Sequence, residues 1–209
     1  MEHKILDDDI MILTGEYRNL NLSELAAGRE IVELDMGCGK GSFTTELAKR
    51  YPDRLILAAD VMIGRLRKLV SRCRREEIQN IVALRVEARM LISVMLPDHA
   101  LDRLHILCPD PWPKGRHRGN RLLAADFLAQ IHRVLKKNGH WHFSTDDLNY
   151  LNQVRNVVAS SGLFEEKPEL LDDIVDIKSD FECRWNEEGK QVYHHLWRPL
   201  PIAWNGIGH

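Results

Sequence analysis

No CxxC pair occurs among the four cysteines (Cys38, Cys73, Cys108, Cys183) of this 209-residue chain. Cysteines so far apart in a chain of this length argue against both a disulfide scaffold and a zinc site, so no metal is expected. No window approaches the ~20 uninterrupted apolar residues of a membrane span. The opening MEHKILDDDIMILTG has neither the basic start nor the apolar core of a secretion signal, and the expected location is the cytoplasm. Thirteen glycines and eight prolines are too few for a collagen-like or linker-dominated chain. The content of 44% hydrophobic and 29% charged residues suits one compact domain over 1–209, with 1–25 as an acidic N-terminal extension.

A net charge of −2 argues by itself against a nucleic-acid partner, but the charge is unevenly distributed. Residues 61–75 (VMIGRLRKLVSRCRR) carry six basic residues and no acid, and residues 111–121 (PWPKGRHRGNR) carry four plus His117. Residues 165–182 hold eight acids and two lysines. Local positive fields of this kind attract phosphate even when the whole chain is near neutral.

From residue 31 onward, strand-like and helix-like stretches alternate. IVELDM (31–36), LILAAD (55–60), IVALRV (81–86), LDRLHILC (101–108) and HWHFSTD (140–146) read as strands. Ile63, Leu66, Val70 and Cys73 recur three and four apart, which predicts a helix with arginines on its far face. LLAADFLAQIHRVL (122–135) predicts another, stopped at Asn138-Gly139, and a third runs from 147 to 160 and stops at Ser161-Gly162. Residues 170–197 read as strand, turn at Glu188-Gly189, strand, forming an antiparallel edge pair. The alternation predicts an α/β fold with a mostly parallel sheet and helices on both faces. Ligands in such folds bind beyond the carboxyl ends of the strands.

The chemistry-bearing residues fall at those ends. Asp35-Met36-Gly37-Cys38-Gly39-Lys40-Gly41 follows the first strand. Its spacing is GxGxG, with Ser42 where a dinucleotide fingerprint requires the third glycine, which suits a nucleoside cofactor lacking pyrophosphate. Cys38 reads as small filler in this turn. Asp60 closes the second strand, where a carboxylate has acceptor oxygens for both ribose hydroxyls. Glu87, with Ala88 after it, follows the third strand and is placed to meet an adenine. Buried carboxylates are costly unless partnered, so acids at three successive strand ends point to a ligand. His140, His142, His194 and His195 read as ordinary strand histidines.

This glycine loop with Asp35, Asp60 and Glu87 resembles class I S-adenosylmethionine-dependent methyltransferases. The run Pro109-Asp110-Pro111-Trp112-Pro113-Lys114-Gly115-Arg116-His117 resembles one branch of them, the tRNA (guanine-N7)-methyltransferases. Ser144-Thr145-Asp146 and Ser179-Asp180-Phe181-Glu182 are similar to two further motifs of that branch, and the resemblance covers about residues 31–197. It implies a Rossmann-like fold with a seven-stranded sheet and an antiparallel edge strand near the C-terminus. It also implies methyl transfer from S-adenosyl-L-methionine to N7 of a tRNA guanine, the variable-loop guanine at position 46 in the family.

Carried over position by position, the cofactor would contact Asp35, Gly37, Gly39, Gly41, Asp60, Glu87, Ala88 and Asp110. Asp110 would also be catalytic. Lys114, Asp146, Ser179 and Glu182 fall on substrate-binding positions, and Arg116, His117, Arg118 and Arg121 on the RNA-contacting run. Trp112 reads as an anchor beneath the loop, with base stacking as the alternative. The chain departs from the family by carrying Asp at 35 and 60 where Glu is usual, Glu at 87 where Asp is usual, and Ser179 for threonine. Gly119 and Asn120 replace two cations of the basic run. That thinner run leaves open another RNA guanine or a small-molecule acceptor, and a non-catalytic tRNA-binding relative is a third alternative. A monomer or a homodimer is compatible with the sequence.

Overall fold

The structure is a computed structural model that describes residues 9–13, 19–110 and 123–201. Lys114, Arg116, His117, Arg118, Arg121 and Trp112 lie outside the described residues.

The central strands carry near-continuous apolar side chains, which is what burial on both faces of a parallel sheet demands. Strands β2 (Val32–Met36) and β3 (Leu55–Asp60) are buried at every position. They are followed by β4 (Ile81–Arg85), β5 (Leu101–Leu107) and β6 (Leu135–Thr145). Helices α2 (Ser42–Arg50), α3 (Ile63–Arg75), α5 (Ala125–Val134) and α6 (Leu148–Ser161) fill the crossovers. Alpha-helical α4 (Ala88–Met90) runs on into a wider π-type turn at Leu91–Met95. Near the N-terminus lie β1 (Ile10–Ile12) and α1 (Leu22–Ala26). The C-terminal part adds β7 (Phe164–Glu166), α7 (Asp180–Glu187) and β8 (Tyr193–Pro199). Among the described residues no helix is long and apolar enough to cross a membrane.

The sheet order is β1-β4-β3-β2-β5-β6-β8-β7. Pairing is parallel up to β6 and antiparallel from β6 to β8 and from β8 to β7. From β2 the chain steps outward through β3 and β4, then returns to the other flank of β2 as β5. A crevice therefore opens beyond the carboxyl ends of β2 and β5, where the strand order reverses.

Three expectations need correction. The sheet has eight strands among the described residues, because Ile10–Ile12 adds a parallel edge strand in register with Ala83–Arg85. The second correction concerns residues 170–197, which are not a hairpin. A 3-10 turn spans Pro168–Leu171 and a helix spans Asp180–Glu187, while β8 pairs antiparallel with β6 on one side and β7 on the other. The Ser179 hydroxyl accepts from the Glu182 amide at 3.2 Å and so caps the start of that helix. Finally, α5 ends at Val134, and Asn138-Gly139 lies inside β6. A Cβ on Gly139 would sit 2.8 Å from the Leu101 carbonyl oxygen, so this glycine serves a close strand–strand approach beside the irregular Leu101/Arg103 register.

Most acids of the 165–182 stretch tether it to the rest of the molecule. Asp176 pairs with Arg50 at 2.6 Å, Asp173 with Arg103 at 3.1 Å and Glu166 with His195 at 2.5 Å. These pairs are individually weak near the surface. The segment's burial rests instead on Leu171, Ile174 and Ile177, which pack against Phe43, Leu47 and Ile56. This packing lays the 170–180 segment across the sheet and delivers the start of α7 to the carboxyl-end crevice.

Candidate active site

The glycine loop turns sharply out of β2. Gly37, Gly39 and Gly41 all have positive φ (83°, 60° and 83°). Gly37 and Cys38 amides donate to the Ala59 carbonyl at 2.8 and 3.0 Å, which pins the turn to β3. Gly41 packs hardest, since a Cβ there would lie 2.3 Å from Leu69 Cδ1 on α3. By contrast, a Cβ on Gly37 or Gly39 would meet nothing within 4 Å, so the loop's open side faces the crevice.

The crevice is lined by Asp35, Gly37, Cys38, Gly39 and Lys40 from β2 and the loop, by Phe43 of α2, by Arg65 and Leu107, and by Ser179 with Asp180, Phe181 and Arg184 of the α7 it caps. Asp35 is 2% exposed and accepts from the Thr44 hydroxyl at 2.6 Å. Burial pushes its carboxyl up to about 7; the Thr44 hydrogen bond opposes this and the neighbouring Asp60 adds to it. Asp60 takes the Gly39 amide at 3.1 Å on one oxygen and the Met62 amide at 2.8 Å on the other. Each carboxylate oxygen has two acceptor directions, so this carboxylate can shape the loop and still receive ligand hydroxyls. Burial and the Asp35 and Asp60 charges raise the Cys38 thiol well above its ordinary value, which suits filler and not a nucleophile.

The remaining expected residues stand at the same edge of the sheet in different ways. Glu87 is exposed and caps α4, accepting from the Met90 amide at 2.9 Å, with Ala88 as the first helical residue. Asp110 follows β5 and is exposed. The Cys108 amide, at the start of that turn, donates to the Ser144 carbonyl at 2.9 Å and ties the turn to β6. Asp146 follows β6 and is half-buried. Ser179 reaches the crevice, whereas Glu182 is buried and lies 3.2 Å from His194 Nε2. Thus Asp35, Gly37, Gly39, Asp60 and Ser179 converge, while Glu87, Asp110 and Asp146 occupy neighbouring strand ends.

Several residues at the crevice were not anticipated. The Ser42 hydroxyl donates to Asp180 at 2.6 Å and receives Arg72 at 3.0 Å, joining α2, α3 and α7. Arg65 stands 3.5 Å from Asp60. Both arginines belong to the basic helix at 61–75, part of whose charge is therefore spent inside the molecule. Lys40 and Ser42 sit within the glycine loop and were legible there by position. Phe181 lies inside the 179–182 motif that the family resemblance places at the substrate, whereas nothing in sequence spacing marks Arg184 as lining.

The sheet order is that of the class I methyltransferase fold. The fold is similar to that of the 16S rRNA methyltransferase KamB, with a TM-score of 0.64 at 16% identity, covering 89% of this chain and 95% of that one. The family model Methyltransf_4, described as "Putative methyltransferase", matches residues 29–195. A tRNA (guanine-N(7)-)-methyltransferase of Neisseria meningitidis is 34% identical over 167 residues, 78% of this chain and 68% of that protein. The enzyme of that name from Thermotoga maritima is 29% identical over 179 residues, 83% of this chain. The chain spans 56% of the length of the Thermotoga protein. The chain belongs to the tRNA (guanine-N7)-methyltransferase family.

Proposed function

We propose that the protein is a single methyltransferase domain that moves the methyl group of S-adenosyl-L-methionine to N7 of a tRNA guanine, the variable-loop guanine 46 by family resemblance. The observation that carries the reading is the open cradle at Gly37 and Gly39 bordered by two buried carboxylates, Asp35 and Asp60. When bound, S-adenosyl-L-methionine supplies an electrophilic methyl on a sulfonium. The residues fit such a cationic nucleoside: Gly37 and Gly39 let backbone approach it while Gly41 packs the loop against α3, Asp35 answers its positive charge, and Asp60 receives ribose hydroxyls. Glu87 and Ala88 border the adenine.

Guanine N7 carries an in-plane lone pair and no proton, so attack needs no general base. The chain must supply alignment, which contributes roughly 7–11 kcal/mol of barrier lowering in well-oriented reactions. Asp110 accepts from the N1–H and N2 amino edge of guanine, and its charge favours the cationic 7-methylguanine product. Pro111 biases Asp110 away from helical backbone, and Cys108, ahead of Pro109, takes left-handed backbone at φ 50°. Asp146, Ser179 and Glu182 border the substrate, and Lys114, Arg116, His117, Arg118 and Arg121 engage it and its phosphates. The enzyme acts in the cytoplasm on tRNA, as monomer or homodimer, without a metal.

The test is incubation with unmodified tRNA and labelled cofactor, followed by nucleoside analysis. 7-Methylguanosine is the expected product, and Asp110→Asn lowers turnover far more than cofactor affinity. A different methylated nucleoside, or equal turnover in the variant, would overturn the assignment.

A further inference from the structure

Beneath the crevice, on the α2 face of the sheet, five ionisable side chains form one unbroken line across four strands. Glu33 (β2), His105 (β5) and His142 (β6) are at most 1% exposed, and Glu182 is 6% exposed. His105 Nε2 lies 2.9 Å from Glu33 Oε2, and His105 Nδ1 lies 3.1 Å from His142 Nδ1. His142 Nε2 lies 3.0 Å from His194 Nδ1 (β8), and His194 Nε2 lies 3.2 Å from Glu182 Oε1 on α7. The line thus begins at a carboxylate held by Arg54 and ends at a carboxylate one turn into the helix that borders the crevice.

Proton counting makes this line unusual. Four contacts join the five groups, and each needs one hydrogen to be a bond and not a clash of lone pairs. Three neutral imidazoles bring three N–H groups. If both carboxylates are ionised, one contact is left without a hydrogen, a costly state in a buried setting where polar groups are almost always paired. A fourth proton fills every contact and, when it is held on an imidazole, places one positive charge between two negative ones.

Its position follows from the surroundings. Burial opposes the Glu33 charge, but the hydrogen bond from His105 and the nearby Arg103 and Arg54 outweigh it and hold that carboxyl at about 2. Burial lowers His105, against the opposing hydrogen bond and charge of Glu33, and it lowers His142 further, where the neighbouring rings and Arg103 push the same way. His194 is the ring that reaches solvent, at 13% side-chain exposure, and it faces Glu182 directly.

We propose that Glu33, His105, His142, His194 and Glu182 form a four-proton relay whose extra proton rests on His194, and that this relay is the positioning device for Glu182 and the α7 start at the substrate site. With the charge on His194, the tautomers are fixed: His194 donates to Glu182 and to His142, His142 donates to His105, and His105 donates to Glu33. Glu182 stays ionised and is aimed by the sheet interior. The functional half of this inference rests on the tRNA-methylating reading; the proton inventory does not.

The experiment is nitrogen NMR on protein labelled with 15N-histidine at neutral pH, assigned with His142→Gln and His194→Gln. The wild type is expected to show four ring N–H protons over His105, His142 and His194, two of them on His194. Glu182→Gln is the decisive variant, because its amide donates to His194 and fills the fourth contact unaided. That variant is expected to show three ring protons, one per ring, in a folded protein. Three in the wild type, or four retained in Glu182→Gln, overturns the relay whatever the activity. Kinetics then test positioning. His194→Gln is expected to raise KM for tRNA roughly tenfold to a hundredfold with a smaller change in kcat, as for loss of one charge-assisted hydrogen bond. An unchanged KM overturns the positioning role. A wild type with the four protons and no 7-methylguanosine product leaves the relay standing and overturns the functional reading alone.

Discussion

Gly39 and Gly41 are two residues apart, both have positive φ, and they answer differently to the same substitution. Alanine at either position must adopt left-handed backbone, which costs roughly 1–2 kcal/mol. At Gly39 that is the whole folding cost, because its added Cβ meets no atom within 4 Å. At Gly41 the Cβ would lie 2.3 Å from Leu69 Cδ1, with Leu69 Cγ and Cβ at 3.1 and 3.2 Å. Leu69 is fully buried, so swinging its Cδ1 away means repacking the core around it, and its Cβ stays in tight contact whatever the rotamer. Overpacking of this kind adds about 1–3 kcal/mol. Gly41→Ala is therefore expected to melt below Gly39→Ala by the equivalent of about 2 kcal/mol, or roughly 4–8 °C in a chain of this size. Cofactor affinity should rank the other way, since the methyl at Gly39 enters the open cradle. Thermal melts followed by calorimetric titration with S-adenosylhomocysteine read both quantities. Equal melting points, or full affinity in Gly39→Ala, would refute the division of the loop into a packed end and a ligand end.

Two further outcomes follow from the charges. Asp35 is raised from 3.8 to about 7, so between those values the folded chain keeps a proton that the unfolded chain has lost. Folding stability should then fall as pH rises through that window, by on the order of 4 kcal/mol in all. Asp35→Asn should flatten the dependence in pH-resolved denaturation; an unchanged slope would assign it to other groups. A bound sulfonium favours the Asp35 anion, so cofactor binding near neutrality should release protons, read as a buffer-dependent heat that disappears in the variant. Binding of tRNA should weaken steeply with salt, by a log–log slope of about −0.7 to −0.9 per phosphate engaged. Removing Arg116 or Arg118 should reduce that slope by about one such unit, and a flat wild-type profile would exclude the basic run as a phosphate grip.

The sheet was legible because its signal is local. LILAAD is a continuous apolar run ending in a carboxylate and IVELDM a mainly apolar one leading into the glycine turn, and β3 and β2 occupy them almost residue for residue. Ser161-Gly162 stops α6 where expected, with Gly162 at φ 64°. Asn138-Gly139 carries the same letters as a helix stop yet serves a strand, because what Gly139 makes room for is the Leu101 carbonyl on a neighbouring strand, and no local pattern encodes a neighbour. The edge strand Ile10–Ile12 was missed for a related reason. Three residues hold too little periodicity to stand out, and only the free edge of β4 gives them a partner.

The helix α7 shows how local and long-range demands meet in one residue. Among its eight residues only Glu182 is buried, so there is no apolar stripe for periodicity to detect. Its start was nevertheless written in Ser179-x-x-Glu182, the spacing of a capping box. In a capping box that glutamate would turn back to the Ser179 amide. Here the serine half is made, and Glu182 faces His194. The spacing thus carries the helix start, while the carboxylate is drawn into a line of groups from five separate elements. No spacing rule could find that line, since its members Glu33, His105, His142, Glu182 and His194 lie up to 72 positions apart at successive contacts. They become neighbours only through the strand order β2-β5-β6-β8. The order that opens the crevice at the carboxyl end therefore also threads the imidazoles beneath it, and the two features stand or fall with the same topology.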